Sequence, residues 1–195
     1  MYIQPEQQPG TEDQVTDWYE GQEKAWGYFP NYAPLFASRP DLAAAWTNLN
    51  LTVRGGMDRR RFELATIAAA RARRNTYCLA AHSKFLRDVC GDEDSMVALA
   101  SHPDGSDLDP VDQAIVLFAG KVAVDPAGID ADDVNVLHQR GLTDAEIADV
   151  TFAVAARCFF ATVLDAGGVE ADAQLGAEFA PEIRDELTVG RPFAG

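Results

Sequence analysis

Residues 58–82 read DRRRFELATIAAARARRNTYCLAAH. The segment from Phe62 to Ala70 is apolar nearly all the way round a helix, apart from one glutamate, Glu63, and a helix that is apolar on every side lies inside a protein. In the second part of the stretch, Cys78 and His82 are four residues apart, so that on a helix their side chains share one face. The stretch therefore predicts consecutive helices that carry a carboxylate, a thiol and an imidazole.

The rest of the chain also reads as helix after helix, with no period-2 alternation that would indicate a strand. Turn and capping signals place the boundaries, such as Asp109-Pro110 before one helix and the capping box Thr143–Glu146 before a long apolar one that Gly167-Gly168 closes. The predicted helices cover residues 18–26, 42–53 with Asp41 as cap, 58–74, 78–89, 110–124, 130–140 and 144–166, with short ones around Asp172 and Pro181.

These elements predict an all-α fold, a compact helical bundle that forms a single domain over residues 1–195, in which residues 1–14 are polar and loose. The sequence also hints at two related halves. At an offset of 85 positions, Ala65–Ala68 aligns with Val150–Ala153, and both segments lie in alanine-rich helices. In the second half, the positions that match Glu63, Cys78 and His82 hold no chemically active side chain.

Charge and composition exclude several classes of function. The net charge is −15 and the pI is near 4.4, whereas binding to nucleic acid or to anionic lipid requires clusters of Lys and Arg. One basic cluster is present, Arg54 to Arg61 with Arg71, Arg73 and Arg74. We interpret it as one face of a helix, for which a subunit contact is favoured over an anion site.

The cellular location of the protein is predicted from its apolar runs, its N-terminal sequence and its cysteines. No apolar run approaches the roughly 20 residues that a membrane span needs, and the N-terminus lacks the basic start and apolar core of a signal peptide. The three cysteines are spread along the chain and do not resemble a disulfide framework. The predicted location is cytoplasmic, with no membrane partner.

Cys78, His82 and Glu63 are the candidate catalytic residues. A thiolate is the reactive form of cysteine, and both a nearby imidazole and a helix N-terminus favour it. A glutamate in an apolar helix is at least partly buried, which raises its pKa or requires a partner, so Glu63 is a candidate general base. The alternatives are a structural ion pair for Glu63, a buried inert thiol for Cys78 and a core or surface role for His82.

Other residue types add less. A metal site at Cys78 and His82 would need a third soft ligand, and none is near in sequence. Cys90 and Cys158 are ambiguous, although burial is favoured for Cys158. Tyr77 can donate a hydrogen bond into the site or can simply pack there.

The residues resemble the carboxymuconolactone decarboxylase superfamily, and within it the alkylhydroperoxidase-D-like, peroxidase-related branch. That branch carries a glutamate, eleven residues and then Cys-x-x-Cys-x-x-x-His, often with Tyr before the second Cys. Here Glu63 is followed by eleven residues and by the segment from Asn75 to His82. The second half is similar as well, from Leu117–Lys121 to the closing Asp165–Val169, so that the resemblance spans about residues 30–175.

The resemblance implies an alkylhydroperoxidase-D-like all-α fold, chemistry without a cofactor, and a homo-oligomer, commonly a trimer or hexamer. In the peroxidases of the family the second Cys attacks the peroxide, the first Cys resolves the sulfenic acid as a disulfide, and the glutamate and histidine move protons. Carried over, Cys78 attacks and His82 and Glu63 relay protons, but the resolving position holds Asn75, which cannot form a disulfide.

Three routes remain open. An external thiol reductant resolves Cys78, or Cys90 or Cys158 approaches it in the fold, or the chain has left peroxidase chemistry. In the third case it is a cofactor-free decarboxylase, isomerase or hydrolase that uses Glu63, Tyr77 and His82 for acid–base work, since decarboxylases of the superfamily lack the Cys pair. Asn75 then binds substrate or caps the helix that starts at Thr76. A redox sensor or an oligomeric scaffold is a further, non-enzymatic alternative.

The sequence thus predicts a thiol-dependent, peroxidase-like oxidoreductase that reduces hydroperoxides through Cys78, with Asn75 and Tyr77 as substrate-binding residues. The decarboxylase-like alternative ranks second. No metal or other cofactor is expected.

Overall fold

The computed structural model describes residues 1–4, 6 and 10–195. That part of the chain contains eleven α-helices and no strand, apart from one isolated bridge between Ala171 and Phe193. The helices are α1 Glu12–Trp26, α2 Ala33–Ala37, α3 Pro40–Gly55, α4 Arg59–Ala72, α5 Thr76–Asp88, α6 Glu93–Ser101, α7 Pro110–Val124, α8 Ala131–Gln139, α9 Asp144–Gly167, α10 Ala173–Ala177 and α11 Pro181–Leu187, with a 3-10 turn at Pro126–Gly128. The predicted all-α class is confirmed.

Helix α4 lies at the centre of the bundle. Every side chain from Phe62 to Ala70 is buried, Glu63 included, and the helix packs against α5, α7 and α9. Its alanines have small side chains, so neighbouring helices can approach on all sides. The stretch that is apolar all the way round is therefore the core helix, as predicted.

Most of the polar residues that were predicted to cap helices lie at helix starts in the structure. Asp58 accepts a hydrogen bond from the Arg61 amide at the start of α4, and Asp109 caps α7. Thr143 and Glu146 form the predicted capping box of α9, which satisfies two amides that would otherwise lack partners. Gly168, at a φ of 71°, closes α9 in the left-handed conformation that glycine adopts without strain.

Several boundaries differ from the prediction. Asp41 does not cap α3, because Pro40 begins that helix after Arg39 and the Asp41 carboxylate instead pairs with the Arg39 side chain at 2.7 Å. Helices α2 and α6 were not predicted. Helix α2 has five residues, too few to show a clear period, and Asp92, which caps α6, was not recognised as a cap.

The prediction that residues 1–14 are loose is also wrong in part. Helix α1 already begins at Glu12, and the Tyr2 amide donates to the Gly167 carbonyl at 2.7 Å. Residues 5 and 7–9 of that segment lie outside the described part of the chain.

The proposed repeat aligns two helix starts. An offset of 85 places Asp58, the cap of α4, on Thr143, the cap of α9. The halves then diverge, because α4 ends at Ala72 and the chain restarts as α5, whereas α9 continues unbroken to Gly167. A common origin of the halves stays a prediction.

Helix α9 is long and apolar enough to cross a membrane by length and composition, the one such helix among the described residues. This corrects the expectation that no apolar run approaches that length. Half of its most apolar window is buried within the bundle, and it packs against α3, α4 and α7. Large apolar side chains remain exposed on α7 and α9, among them Leu117, Val124 and Phe152. Association into a homo-oligomer stays a prediction.

Candidate active site

A cavity of about 110 Å³ lies between helices α3, α4, α5 and α9. Aromatic rings form much of its wall, and its polar side chains come from four helices. Its lining consists of Trp26, Tyr32, Trp46, Asn50, Arg54, Arg59, Phe62, Glu63, Tyr77, Cys78, Ala81, His82, Phe85, Arg157 and Phe160. The three predicted catalytic residues, Glu63, Cys78 and His82, therefore meet in one cavity.

A sharp turn between α4 and α5 returns the chain to the cavity. Arg74 has a φ of 55°, and Asn75 is extended. Asn75 is the N-cap of α5, where its Oδ1 accepts a hydrogen bond from the Cys78 amide at 2.7 Å and its Nδ2 donates to the Ala161 carbonyl at 3.4 Å. Cys78 consequently lies in the first turn of α5, where the helix dipole favours a negative charge.

The same contacts correct the predicted role of Asn75. Its amide oxygen and nitrogen are both used within the protein, it is buried, and it is not among the residues that line the cavity. Asn75 is therefore a helix-capping residue, the second of the two roles that the sequence left open, rather than a substrate-binding one.

Glu63 and His82 form a buried pair. The Glu63 Oε2 atom lies 2.5 Å from His82 Nδ1, and Glu63 Oε1 accepts from Arg59 Nε at 2.6 Å. Burial alone would raise the pKa of Glu63, but His82 and Arg59 together hold it below its usual value. Glu63 is therefore an ionised carboxylate with a partner on each oxygen.

His82 is neutral at physiological pH. Burial, reinforced by the positive charge of Arg157 and opposed by Glu63, lowers the pKa of His82 to about 4. Because an ionised carboxylate only accepts hydrogen bonds, the ring proton is assigned to Nδ1, which leaves Nε2 as an acceptor. The rings of Phe62 and Phe85 contact the imidazole edge to face at centroid distances of 5.9 and 5.6 Å. His82 is thus a neutral base whose ring is oriented by Glu63 and by the two phenylalanine rings.

Cys78 has a cation beside its sulfur. Its side chain is 1% exposed, and Arg157 Nη1 lies 3.6 Å from Sγ. Burial raises the pKa of the Cys78 thiol, while the Arg157 guanidinium acts in the opposite direction. The thiol is therefore protonated at rest, and the charge that would stabilise its thiolate is already in place.

Tyr77 lines the cavity, but its hydroxyl is engaged elsewhere. The hydroxyl donates a short hydrogen bond to Asp172, which also accepts from the Tyr28 hydroxyl at 3.2 Å and from the Asn31 amide at 2.7 Å. Burial, reinforced by the neighbouring Asp172, raises the pKa of Tyr77 far above its usual value. Tyr77 therefore contributes a ring to the wall and holds its proton.

Sequence reasoning missed Arg157 and Asp172. Arg157 is the one charged residue in the apolar run 150–164 of α9, just as Glu63 is in the run 62–70 of α4, and this was the available signal. The Arg54–Arg61 cluster was interpreted as a helix face in a subunit contact, yet Arg54 and Arg59 line the cavity. Asp172 gave no signal, because it follows α9 in an ordinary loop and its partners are about 95 to 144 residues away along the chain.

Cys90 and Cys158 are not among the residues that line the cavity. All three cysteines are free; Cys90 follows the end of α5, and Cys158 is half-buried with its sulfur 3.9 Å from the Ala123 carbonyl on α7. In residues 1–4, 6 and 10–195 no group of three or more His, Cys, Asp and Glu side chains is arranged to hold a metal ion.

Comparison with known proteins gives a family match over part of the chain and a fold over most of it. Residues 40–119 match the carboxymuconolactone decarboxylase family, a range that includes α3, α4 and α5 and hence Glu63, Cys78 and His82. No curated protein matches the chain at a significant level.

Solved structures share the whole fold. An uncharacterized peroxidase-related protein of Ralstonia eutropha JMP134 with an alkylhydroperoxidase AhpD core is 24% identical, with a TM-score of 0.75 over 89% of this chain and 93% of that one. An uncharacterized peroxidase-related protein of Silicibacter sp. TM1040 is 20% identical, with a TM-score of 0.78 over the same shares. A cysteine-to-alanine variant of the debrominase Bmp8, in complex with 2,3,4-tribromopyrrole, is 17% identical, with a TM-score of 0.75 over 96% of this chain and 97% of that one.

Proposed function

Residues 40–119 match the carboxymuconolactone decarboxylase family, and the chain shares its fold with a protein that has an alkylhydroperoxidase AhpD core; we propose that it belongs to the alkylhydroperoxidase-D-like branch of that superfamily and is a thiol-dependent oxidoreductase that reduces hydroperoxides at Cys78. One observation carries the proposal. The Arg157 guanidinium lies against the Cys78 sulfur inside the cavity that also holds the Glu63–His82 pair. A thiol with a cation and a neutral base in its cavity has what a nucleophile needs.

The proton path begins at the thiol. His82 Nε2 takes the Cys78 proton, directly or through a water, and Glu63 stabilises the imidazolium that results, because its carboxylate already bonds to Nδ1. Arg157 stabilises the thiolate. Arg59 keeps Glu63 ionised, so the carboxylate orients the ring and does not itself take the proton.

The thiolate then attacks the outer oxygen of the hydroperoxide. A sulfur–oxygen bond forms, the oxygen–oxygen bond breaks, and the imidazolium returns its proton to the departing alkoxide or hydroxide. Sulfur is oxidised to the sulfenic acid, and the peroxide is reduced to an alcohol or to water.

Resolution requires a thiol from outside the cavity, because Asn75 occupies the position of the resolving cysteine. A small external thiol attacks the sulfenic acid, releases water and forms a mixed disulfide, and a second thiol molecule regenerates Cys78. The half-buried Cys158, bonded toward α7, and Cys90, beyond the end of α5, lie outside the cavity lining.

Acid–base chemistry without the thiol is the second candidate, and the buried Glu63–His82 pair favours it. A cofactor-free decarboxylase, isomerase or hydrolase would use His82 Nε2 to move a proton on a small carbonyl acid. Tyr77, the third residue predicted for this acid–base chemistry, is less suited to proton transfer, because its hydroxyl donates its hydrogen bond to Asp172. The thiol-dependent function therefore has the stronger support.

The test is chemical trapping at Cys78. The reduced protein receives one equivalent of hydrogen peroxide and a sulfenic-acid trap, followed by intact mass and peptide mapping. We expect the adduct on Cys78 in the wild type and in a Cys90→Ala, Cys158→Ala double variant, and its loss in Cys78→Ala. Peroxide consumption with an external thiol should be lost in Cys78→Ser.

Undiminished peroxide consumption by Cys78→Ser would contradict the proposal. A thiol that does not react, together with turnover of a carbonyl acid that is lost in His82→Ala and kept in Cys78→Ala, would establish the second candidate instead. The activity named for Bmp8 adds brominated pyrroles to the electrophiles to be tried at the same thiol.

A further inference from the structure

Arg157 is a buried cation whose hydrogen-bonding capacity is not filled. Its side chain is 5% exposed, and its Nε is buried without any hydrogen-bond partner. Nη1 faces the Cys78 sulfur at 3.6 Å, and Nη2 donates to the neutral Asn50 Oδ1 at a long 3.4 Å. Nε and Nη2 form one edge of the planar guanidinium, so that edge has donors to spare.

No carboxylate compensates this charge. In the described part of the chain, no Asp or Glu oxygen forms an ion pair with Arg157. The one carboxylate that lines the cavity, Glu63, is occupied by Arg59 and His82. Since an unpaired charge away from water is costly, such groups in proteins are usually paired. Among the described residues, therefore, none supplies a carboxylate to Arg157.

The approach to this charge is also positive. Arg54 and Arg59 line the same cavity, and the Arg59 side chain is about one-third exposed. The protein as a whole carries a charge of −15, so a cavity wall with three arginines and one paired carboxylate stands out from its surroundings. Such a site attracts anions and repels cations.

The walls indicate the shape of the ligand. The rings of Trp46 and Phe160 stack on each other and lie beside the guanidinium, with centroids 5.8 and 5.5 Å from its central carbon. The cavity measures about 110 Å³, compared with about 150 Å³ for an engineered apolar cavity that accepts benzene. A flat group of about the size of a five-membered ring, or a short unsaturated chain, fits this space.

We propose that the cavity binds a small, planar organic carboxylate, with its charged group on Arg157 and its remainder against the aromatic residues that line the cavity. The substrate of Cys78 is then a hydroperoxide that carries such a carboxylate, rather than hydrogen peroxide or a neutral lipid-like peroxide. Arg157 acts as the specificity-determining residue, and the carboxylate gives it the counter-ion that the protein lacks. The identity of the substrate rests on the proposed function, whereas the binding of the anion does not.

Calorimetric titration tests the anion site without any turnover. The ligands are furan-2-carboxylate and its neutral counterpart furan-2-carboxamide, which have the same ring and nearly the same shape. We expect the reduced wild type to bind the acid at least about tenfold more tightly than the amide, since hydrogen bonds to a charged partner are the stronger ones. Arg157→Gln should abolish this preference, and Arg157→Lys should keep part of it.

Arg71→Gln is the matched control. Arg71 also has guanidinium nitrogens that are buried without partners, Nε and Nη2, but it lies outside the cavity. The preference for the acid should survive in this variant. It should also survive in Cys78→Ala, because Arg157 and not the thiol holds the carboxylate. Circular dichroism establishes that each variant is folded.

Equal binding of acid and amide, binding of neither, or an unchanged preference in folded Arg157→Gln would each overturn the anion site. The trapping experiment at Cys78 tests the proposed function separately. A trapped sulfenic acid without anion binding would support the thiol chemistry and contradict the anion site. Anion binding together with an unreactive thiol would support the anion site and contradict the proposed peroxidase function.

Discussion

Arg157 on α9 places a guanidinium nitrogen 3.6 Å from the sulfur of Cys78 on α5, and the two residues are 79 positions apart in sequence. The same guanidinium lies near the rings of Trp46 and Phe160, which contact each other in a stacked arrangement. The contact therefore joins helices α3, α5 and α9 at one point. It also places the charge that stabilises a thiolate beside a thiol whose pKa burial raises.

Removing that charge should make Cys78 less acidic. We expect Arg157→Gln to raise the pKa of Cys78 by about one unit or more, because an opposite charge at this range shifts a pKa by about 1–3 units. The measurement is the rate of alkylation of Cys78 by iodoacetamide as a function of pH. Arg157→Lys should show a smaller shift, and Arg71→Gln none. The same pH profile in Arg157→Gln and the wild type would contradict the role assigned to Arg157.

Asn75 should act on stability through the cap of α5. Its side chain accepts from the Cys78 amide and donates to Ala161, so we expect Asn75→Ala to lower the free energy of unfolding by about 1–2 kcal/mol. Asn75→Ser keeps a capping oxygen and should lose less. Urea denaturation of the three proteins measures the difference, and equal losses in the two variants would argue against a capping role.

Asn75→Cys should create the missing resolving thiol. The position is the N-cap of the helix on which Cys78 occupies the first turn, the arrangement of a Cys-x-x-Cys pair. After one equivalent of peroxide we expect the variant to lose two free thiols and to recover them with dithiothreitol, whereas Asn75→Ser forms no disulfide. A persistent sulfenic acid at Cys78 in Asn75→Cys would mean that the two sulfurs do not meet.

Asp172 should hold the wall of the cavity at Tyr77. Its carboxylate accepts from two tyrosine hydroxyls and from the Asn31 amide, and it joins the loop after α9 to α5 and to the segment between α1 and α2. Asp172→Ala leaves three donors without an acceptor, two of which are half-buried or buried, so we expect a loss of about 3 kcal/mol in unfolding free energy.

The matched control is Asp185→Ala, at an exposed carboxylate on α11, which should change stability by less than about 0.5 kcal/mol. Denaturant unfolding followed by tryptophan fluorescence measures both variants. A loss in Asp172→Ala no larger than in Asp185→Ala would show that the network does not stabilise the fold.

His82 should make the protein sensitive to acid. Its folded pKa of about 4 lies below the usual 6.5, so between these values the unfolded chain binds a proton that the folded chain does not. The contribution is complete above about pH 6.5 and is lost as the pH falls toward 4, by an amount on the order of 3 kcal/mol. Glu63, whose pKa is held below its usual 4.5 by its partners despite burial, adds a loss of the same sign on further acidification.

The measurement is urea unfolding at intervals between pH 7 and pH 4. The slope over this range should flatten in His82→Gln, whatever the absolute stability of that variant. His102→Gln and His138→Gln should keep the wild-type slope, because both side chains are exposed. A slope that survives in His82→Gln would assign the acid sensitivity to other groups.

Much of the secondary structure could be predicted from the sequence, because caps and hydrophobic periods are local. Asp58, Asp109 and the Thr143 capping box marked helix starts that the structure has at the same places. Asp41 was misassigned because Pro40 next to it can begin a helix without a side-chain cap. Helix α2, with five residues, is too short for a period to show, whereas α6 was missed although Asp92 caps it.

The candidate site, too, could be predicted from the sequence only in part. Glu63, Cys78 and His82 lie within 20 residues of one another, and the pitch of a helix was enough to predict that Cys78 and His82 share a face. Asn75 left two roles open, since a cap and a ligand contact use the same amide, and the contacts of the folded chain were needed to choose between them.

The sequence by itself determined the all-α class, the central position of α4 and the identity of the thiol, the imidazole and the carboxylate. Each of these depends on neighbours a few residues away along a helix. The tertiary structure alone decided that Arg157 faces Cys78, that Asp172 accepts the hydrogen bond of Tyr77, and that Arg54 and Arg59 line a cavity. These contacts join side chains from helices far apart in the chain, and their partners are fixed by how the helices pack, which no local pattern of residues encodes.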